Sequence, residues 1–215
     1  VVSLDLPADY RARGIEVWGD GAYAGGAPLD DDRFYWFSIV PEAFAGDLAG
    51  PRETTAALRE RFTDFPDPVP SIVESVAADD VFATGLADLP GLERWSRGSV
   101  VLAGEAAHGM LPFAGQGAAQ AIEDALALAD AVDRHGDPAA AFETYEAERK
   151  PRADGVRAES RRLGRLGTVQ SSLGARLRNL AVGLVPASIF RRFRRRRASR
   201  TTLPDAAVAD GGPDA

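Results

Sequence analysis

The sequence predicts a mixed α/β chain of the α+β kind, an antiparallel sheet followed by helices, and three observations lead there. Three runs rich in β-branched and aromatic residues, GIEVW (Gly14–Trp18), AYAGGAP (Ala22–Pro28) and RFYWFSIV (Arg33–Val40), are separated by the turn-forming stretches GDG and LDDD. From Gly117 onward, small and apolar residues recur at helical spacing. Between sheet and helices lies a glycine-rich loop, GEAAHGMLPFAGQG, that follows a short apolar run and leads directly into a helix.

The three strand-like runs predict an antiparallel meander. Pro51–Phe62 predicts a helix opened by proline in its first turn. Phe65–Pro70 interrupts the chain, and Ile72–Val76 and Asp80–Leu86 follow as a short helix and a further strand. Val100–Gly104 (VVLAG) predicts a short buried strand. In the helix that starts near Gly117, Ile122, Leu126 and Ala129 sit at i, i+4 and i+7 with Ala118, Ala121 and Ala125 beside them, an apolar face suited to close packing on a sheet. Glu123 and Asp124 stand near the positive end of its dipole and are expected to act as dipole partners. Gly136 is the expected C-cap, and Asp137-Pro138 opens a second helix. Pro151 is expected to break or kink that helix before it continues from Arg152 to Leu166. Ser171–Val185 and Ala187–Arg197 predict shorter helices, and residues 201–215 have the composition of a disordered tail.

Composition removes several function classes. The 215 residues contain no cysteine, which excludes disulfides and thiolate metal sites and points to a reducing cytoplasm. The two histidines, His108 and His135, make a histidine metal site implausible, and no metal is expected. No apolar run approaches the roughly 18 residues of a membrane span. The first residues lack the profile of a signal peptide and begin without methionine, as in a fragment whose upstream part is missing. The first 150 residues carry 27 acidic and 11 basic groups, and the remainder 5 acidic and 14 basic. The acidic part argues against a nucleic-acid partner. At the basic end, Ile189, Phe190 and Phe193 lie beside six arginines in IFRRFRRRR; the leading reading is a solvated basic helix pairing with the acidic body, ahead of peripheral contact with anionic lipid at the inner membrane face and, last, of nucleic acid.

The loop carries the chemistry. Amides at a helix start have no intrahelical partner and favour a negative group. Gly115 and Gly117 lack a Cβ, so a flat ring can lie against their backbone. Glu105, at the end of the short strand, is placed to accept hydrogen bonds from hydroxyls. A polyol chain attached to a ring that becomes anionic on reduction satisfies all three, and that describes a flavin. His108 is an acid–base candidate or a hydrogen-bonded structural histidine.

The stretch VVLAGEAAHGMLPFAGQGAAQAIEDALALA resembles the second FAD-binding motif of the class A flavoprotein monooxygenases, the family of p-hydroxybenzoate and salicylate hydroxylases. Gly104, Ala106, Ala107, His108, Pro112, Gly115, Gln116, Gly117, Glu123, Asp124 and Ala125 match that motif in order and spacing. The resemblance runs from about Ile15 to Leu166. It departs at Glu105, where the family usually has aspartate. It also lacks the Gly-x-Gly-x-x-Gly unit that opens the family, since Gly19–Gly21 sits in a hairpin-like turn.

The resemblance implies a partial flavin-monooxygenase fold: an antiparallel substrate-side sheet over residues 1–92, the C-terminal part of the FAD-binding domain over 93–166, C-terminal helices with a basic end over 167–200, and the tail. It implies FAD as cofactor and NAD(P)H as co-substrate, with a flavin hydroperoxide hydroxylating an aromatic or related small molecule. Gly104, Glu105, Pro112, Gly115, Gln116 and Gly117 would bind the cofactor, with Pro112 next to the ring. Tyr23, Tyr35 and Phe37 would line the substrate side. An N-terminal FAD-binding half is implied on a separate or missing segment. An FAD-dependent reductase of isoprenoid double bonds and a non-catalytic, membrane-associated module remain open at this point.

Overall fold

The computed structural model describes residues 2–3, 14–30, 33–45, 51–186, 188–189 and 192. In chain order its elements are β1 (Val2–Ser3), β2 (Ile15–Trp18), β3 (Tyr23–Pro28), β4 (Arg33–Ile39), α1 (Glu42–Ala45), α2 (Pro51–Phe62), α3 (Val69–Ser75), β5 (Ser96–Arg97), β6 (Val100–Val101), α4 (Glu105–His108), α5 (Gly117–Arg134), α6 (Pro138–Gly167) and α7 (Ser172–Gly183). Single 3₁₀ turns occupy Ala78–Asp80 and Pro112–Ala114. The described residues fall into two compact units, one up to Gly85 together with Arg165–Val182, the other from Leu86 to Gly164 with those from Gly183 on.

The first unit is built on the expected meander. Its antiparallel sheet has the order β1-β4-β3-β2, with Gly25 opposite Phe37 and Ala27 opposite Tyr35. Side chains alternate across a strand. One face, with Ala24 and Trp36, packs on Phe62, Val69 and Val73 of α2 and α3. Each large apolar side chain fully buried in such a core contributes about 1.5–3 kcal/mol. The other face carries Tyr23, Tyr35 and Phe37, with ring centroids 5.4 Å apart for Tyr23–Phe37 and 6.0 Å for Tyr35–Phe37. Burial, with Glu16 beside it, raises the Tyr23 phenol above its ordinary range.

Arg178 fixes α7 to this unit. Its Nη2 donates to the carbonyls of Trp18 (3.1 Å) and Gly19 (3.0 Å), and its Nη1 to Leu166 (3.1 Å) and Gly167 (3.3 Å). The guanidinium also stands 5.8 Å from the centroid of the Trp18 ring. Burial depresses its pKa against a weaker upward pull from Asp20.

The second unit is centred on Trp95, Ala107, Ala127, Ala131, Ala141, Tyr145 and Ala153. The buried alanines of α5 are Ala127 and Ala131; Ala118 and Ala125, expected to pack on a sheet, are exposed. Asp137 caps α6 as expected, accepting from the Ala140 amide at 3.0 Å.

Several expectations are corrected. Asp80–Leu86 is not a strand: it pairs with nothing among the described residues, and Phe82 is 88 % exposed. Val100–Gly104 yields only the two-residue β6, hairpinned to β5, and Val100 is 63 % exposed. A strand buried on both faces needs neighbours on both sides, and β6 has one described partner. The last residue of the α5 cap is His135, whose amide bonds Ala131, rather than Gly136. Pro151 neither ends nor divides α6; contacts on both sides of it, through Tyr145, Arg149 and Ala153, hold the helix across the missing N–H.

The buried side of α5 is Gln120, Glu123, Asp124, Ala127 and Ala131, whereas Ile122 is 64 % and Val132 50 % exposed. The apolar stripe therefore points outward, because the two carboxylates find cations on α6. The expected helix over Ala187–Arg197 and the tail over 201–215 lie outside the described residues, apart from positions 188, 189 and 192.

Candidate functional site

Gly104 makes the first turn of the site. Its φ of +58° lies in a region open to glycine and strained for other residues. Its amide donates to Asp124 Oδ2 at 2.9 Å, and its carbonyl accepts from the amides of Ala107 and His108, both at 3.0 Å. The chain is thereby reversed into α4, and Glu105 emerges at the surface. The Glu105 carboxylate lies against the start of α5: a Cβ added at Gly117 would stand 3.3 Å from Glu105 Oε1.

The second turn is Pro112–Ala114. Gly115 follows with φ +61°, its amide bonding the Pro112 carbonyl at 2.8 Å. A Cβ there would meet nothing within 4 Å, so the left-handed conformation leaves an open surface. Ser160 of α6 holds this turn from behind, accepting from the Ala114 amide at 3.2 Å and donating to the Leu111 carbonyl. The first intrahelical bond of α5 is from Gln120 N to Gln116 O, at 2.9 Å. The amides of Gly117, Ala118 and Ala119 precede it, at the positive end of an 18-residue helix. Pro112 and Gly115 are exposed beside them.

Beneath the two turns lies a buried charge cluster. Asp124 Oδ2 also meets His108 Nε2 at 2.6 Å, and Asp124 Oδ1 accepts from Arg149 Nε at 2.9 Å. A carboxylate only accepts, so His108 donates through Nε2. Arg149 reaches Glu123 Oε2 at 2.6 Å through Nη1, and the Gln120 carbonyl and Oε1 at 3.2 and 2.9 Å through Nη2. Arg152 forms a fork on both Glu123 oxygens, at 2.7 and 2.8 Å. Two carboxylates thus face two guanidiniums. Burial opposes ionisation of Asp124, but hydrogen bonds from His108, the Gly104 amide and Arg149 outweigh it and hold the carboxyl below the usual range. Glu123 is depressed in the same way, burial being outweighed by Arg152 and Arg149. The Tyr145 phenol is raised by burial and by the nearby Asp124.

The sequence-predicted residues Gly104, Glu105, Pro112, Gly115, Gln116 and Gly117 all lie in the second unit, on the two turns. His108 is wholly buried under them, in the structural alternative rather than at an open acid–base position. Glu123 and Asp124 are not simple dipole partners, because their charge is neutralised by α6. Tyr23, Tyr35 and Phe37 belong to the first unit. Sequence reasoning missed Arg149, Arg152, Gln120 and Ser160. Arg149 had a legible signal: it stands on the buried four-residue stride of Ala141, Tyr145, Arg149 and Ala153.

Comparisons with known proteins meet at this site. The family model described as an FAD binding domain matches residues 90–160, which contain both turns and the charge cluster. The aurachin C monooxygenase/isomerase of Stigmatella aurantiaca is 33% identical over 177 residues, covering 82% of this chain and 45% of its own. Over this region the chain is similar to the class A FAD-dependent monooxygenases.

Other relatives agree. The 2-heptyl-3-hydroxy-4(1H)-quinolone synthase of Pseudomonas aeruginosa is 35% identical over 191 residues, 84% of this chain and 47% of that one. In structure, Klebsiella pneumoniae HpxO complexed with FAD and uric acid superposes with a TM-score of 0.70 at 26% identity, covering 83% of this chain and 47% of HpxO. The chain spans somewhat under half the length of these relatives. The fold class is that of flavin monooxygenases, mixed α/β with small antiparallel sheets.

Proposed function

We propose that the chain supplies the ring-binding part of an FAD-dependent, NAD(P)H-driven monooxygenase that hydroxylates an aromatic or related small molecule. The observation that carries this reading is the conjunction of the open Gly115 turn, the outward amides at the start of α5 and the exposed Glu105 carboxylate beside Gly117. FAD, when bound, supplies hydride acceptance and oxygen activation. The chain's own residues bind and orient. The amides of Gln116 and Gly117 stabilise negative charge on the ring, and Gly115, whose own amide is closed on the Pro112 carbonyl, supplies the open turn. Glu105 receives hydroxyls of the cofactor's chain, Gly104 makes the turn that presents it, and Pro112 bounds the ring. The face with Tyr23, Tyr35 and Phe37 is the proposed substrate side, an apolar surface that excludes water.

The remaining half of the relatives' length is proposed as a partner polypeptide or segment. The outward stripe of Ile122, Leu126 and Val132 on α5 supports this, since large apolar side chains along one helix face seek a covering element.

The test mixes the chain with the N-terminal half of the Stigmatella relative and FAD. A perturbed flavin absorption spectrum and NAD(P)H-dependent oxygen uptake with a panel of phenols and quinolones are expected. Gly115→Val, which adds a β-branched side chain at positive φ on the ring-facing surface, is expected to lower flavin retention at least about tenfold. Wild-type flavin retention by Gly115→Val would refute the assignment of this turn.

A further inference from the structure

A second surface is unrelated to the flavin turns. Along α7, Leu173 (68 % exposed), Leu177 (59 %), Leu180 (63 %) and Leu184 just past its end (75 %) recur at i, i+4, i+7 and i+11. At 100° per residue they form one narrow stripe. Ala175 and Arg178 occupy the opposite side and are buried, with Arg178 tied to four carbonyls. The helix is thus anchored by its polar side and presents four leucines to solvent. Ile189, further along the chain, is also 56 % exposed.

The sequence around this stripe is strongly one-signed. Residues 161–200 contain twelve arginines and no Asp, Glu or Lys, in a chain whose first 150 residues are acidic. Arg176 lies on α7 itself and is exposed. We propose that α7 lies in the plane of an anionic lipid surface, with Leu173, Leu177, Leu180 and Leu184 inserted between acyl chains and the exposed Arg176 on the headgroups. This places the apolar contact on α7, upstream of Ile189; Phe190 and Phe193, named with Ile189 from the sequence, lie outside the described residues.

The alternatives fit less well. A second copy docked through α7 would bring two arginine-rich segments together with no acidic residue among them. A stable protein interface buries about 800 Å² per partner from roughly 20–30 residues a side, more than a four-leucine stripe on a 12-residue helix offers. A nucleic acid would use the arginines and leave the leucines in water. A bilayer interface uses both, and single leucines and arginines each add to binding there. No helix among the described residues is long and apolar enough to cross a membrane, so the contact is an in-plane one. The inference does not rest on the flavin reading.

The experiment uses the full chain and vesicles of phosphatidylcholine, with and without phosphatidylglycerol, in a sedimentation assay. Binding is expected to the phosphatidylglycerol vesicles, and to fall steeply between 0.1 M and 1 M salt as the Debye length shrinks from about 10 Å to about 3 Å. Leu177→Ser/Leu180→Ser is expected to lower partition at least about tenfold with an unchanged thermal transition, since both side chains are exposed. Leu173→Ala/Leu184→Ala, which keeps helix propensity, is expected to lower it in the same direction. Arg176→Gln, on α7 itself, is expected to cost about fivefold. Unchanged partition in both leucine pairs overturns the proposal, as does equal binding to neutral vesicles. A dimer in solution that the leucine variants convert to monomer, with vesicle binding unaltered, overturns it in favour of self-association.

Discussion

Replacing Arg149 by methionine tests whether the buried charge cluster holds the two turns above it in place. Methionine keeps much of the side-chain volume and removes the guanidinium, which makes four hydrogen bonds at 2.6–3.2 Å. Removing one partner of a buried ion pair costs about 3–5 kcal/mol, because the other charge is left uncompensated. Here two effects soften that figure. Glu123 keeps both bonds from Arg152, and Asp124 keeps the Gly104 amide and His108. The expected loss is therefore at the lower end, about 3 kcal/mol.

With a urea dependence of about 2 kcal/mol/M, the midpoint falls by about 1.5 M. Trp95 is buried beside His108, with ring centroids 5.5 Å apart, so its fluorescence reports this unit once Trp18 and Trp36 are changed to phenylalanine. Arg152→Ala in the same background is the control. Arg152 is part-exposed and Glu123 retains Arg149, so about 1 kcal/mol is expected. A midpoint shift under about 0.5 M for Arg149→Met, or equal shifts for the two variants, would refute the reasoning.

Acid should act on the same cluster: Asp124 and Glu123 titrate below their ordinary range in the folded chain, so their stabilisation is full above about pH 4 and is lost as pH falls through their lower native values. The thermal midpoint of the wild type is expected to drop below about pH 4, and that of Asp124→Asn/Glu123→Gln to change less over the same interval. Ser160→Ala removes the hydroxyl that bonds Leu111 and Ala114, and about 1–2 kcal/mol of stability with faster amide exchange at Ala114 is the expected result. Arg178→Lys cannot reproduce the fork onto four carbonyls and is expected to loosen α7, seen as faster proteolysis between residues 170 and 185.

The sheet and the helices that local chemistry specifies were legible. Turn residues between β-branched runs set the meander, and Asp137-Pro138 set the start of α6 to the residue. The glycine-rich loop was legible as a loop, and glycines 104 and 115 within it both take positive φ. What the sequence concealed was pairing at long range. The stripe of Ile122, Leu126 and Ala129 reads as a core face by periodicity alone, yet α5 buries Glu123 and Asp124, because their partners lie 25 to 29 residues later on α6. Pro151 shows the same limit: its local preference is to interrupt a helix, and packing on either side overrides it. Asp80–Leu86 had strand composition but no described strand to pair with.

Asp124 serves three masters with two oxygens, and this limits the routes by which the protein can change over time. A single substitution at 123, 124 or 149 leaves a buried group short of its complement, whereas one at 152 leaves Glu123 with Arg149, so the costly intermediates lie at the first three positions. Descendants of this chain should therefore keep Glu123, Asp124 and Arg149 together or exchange them as a block for apolar residues, with position 104 held as glycine by its positive φ in either case.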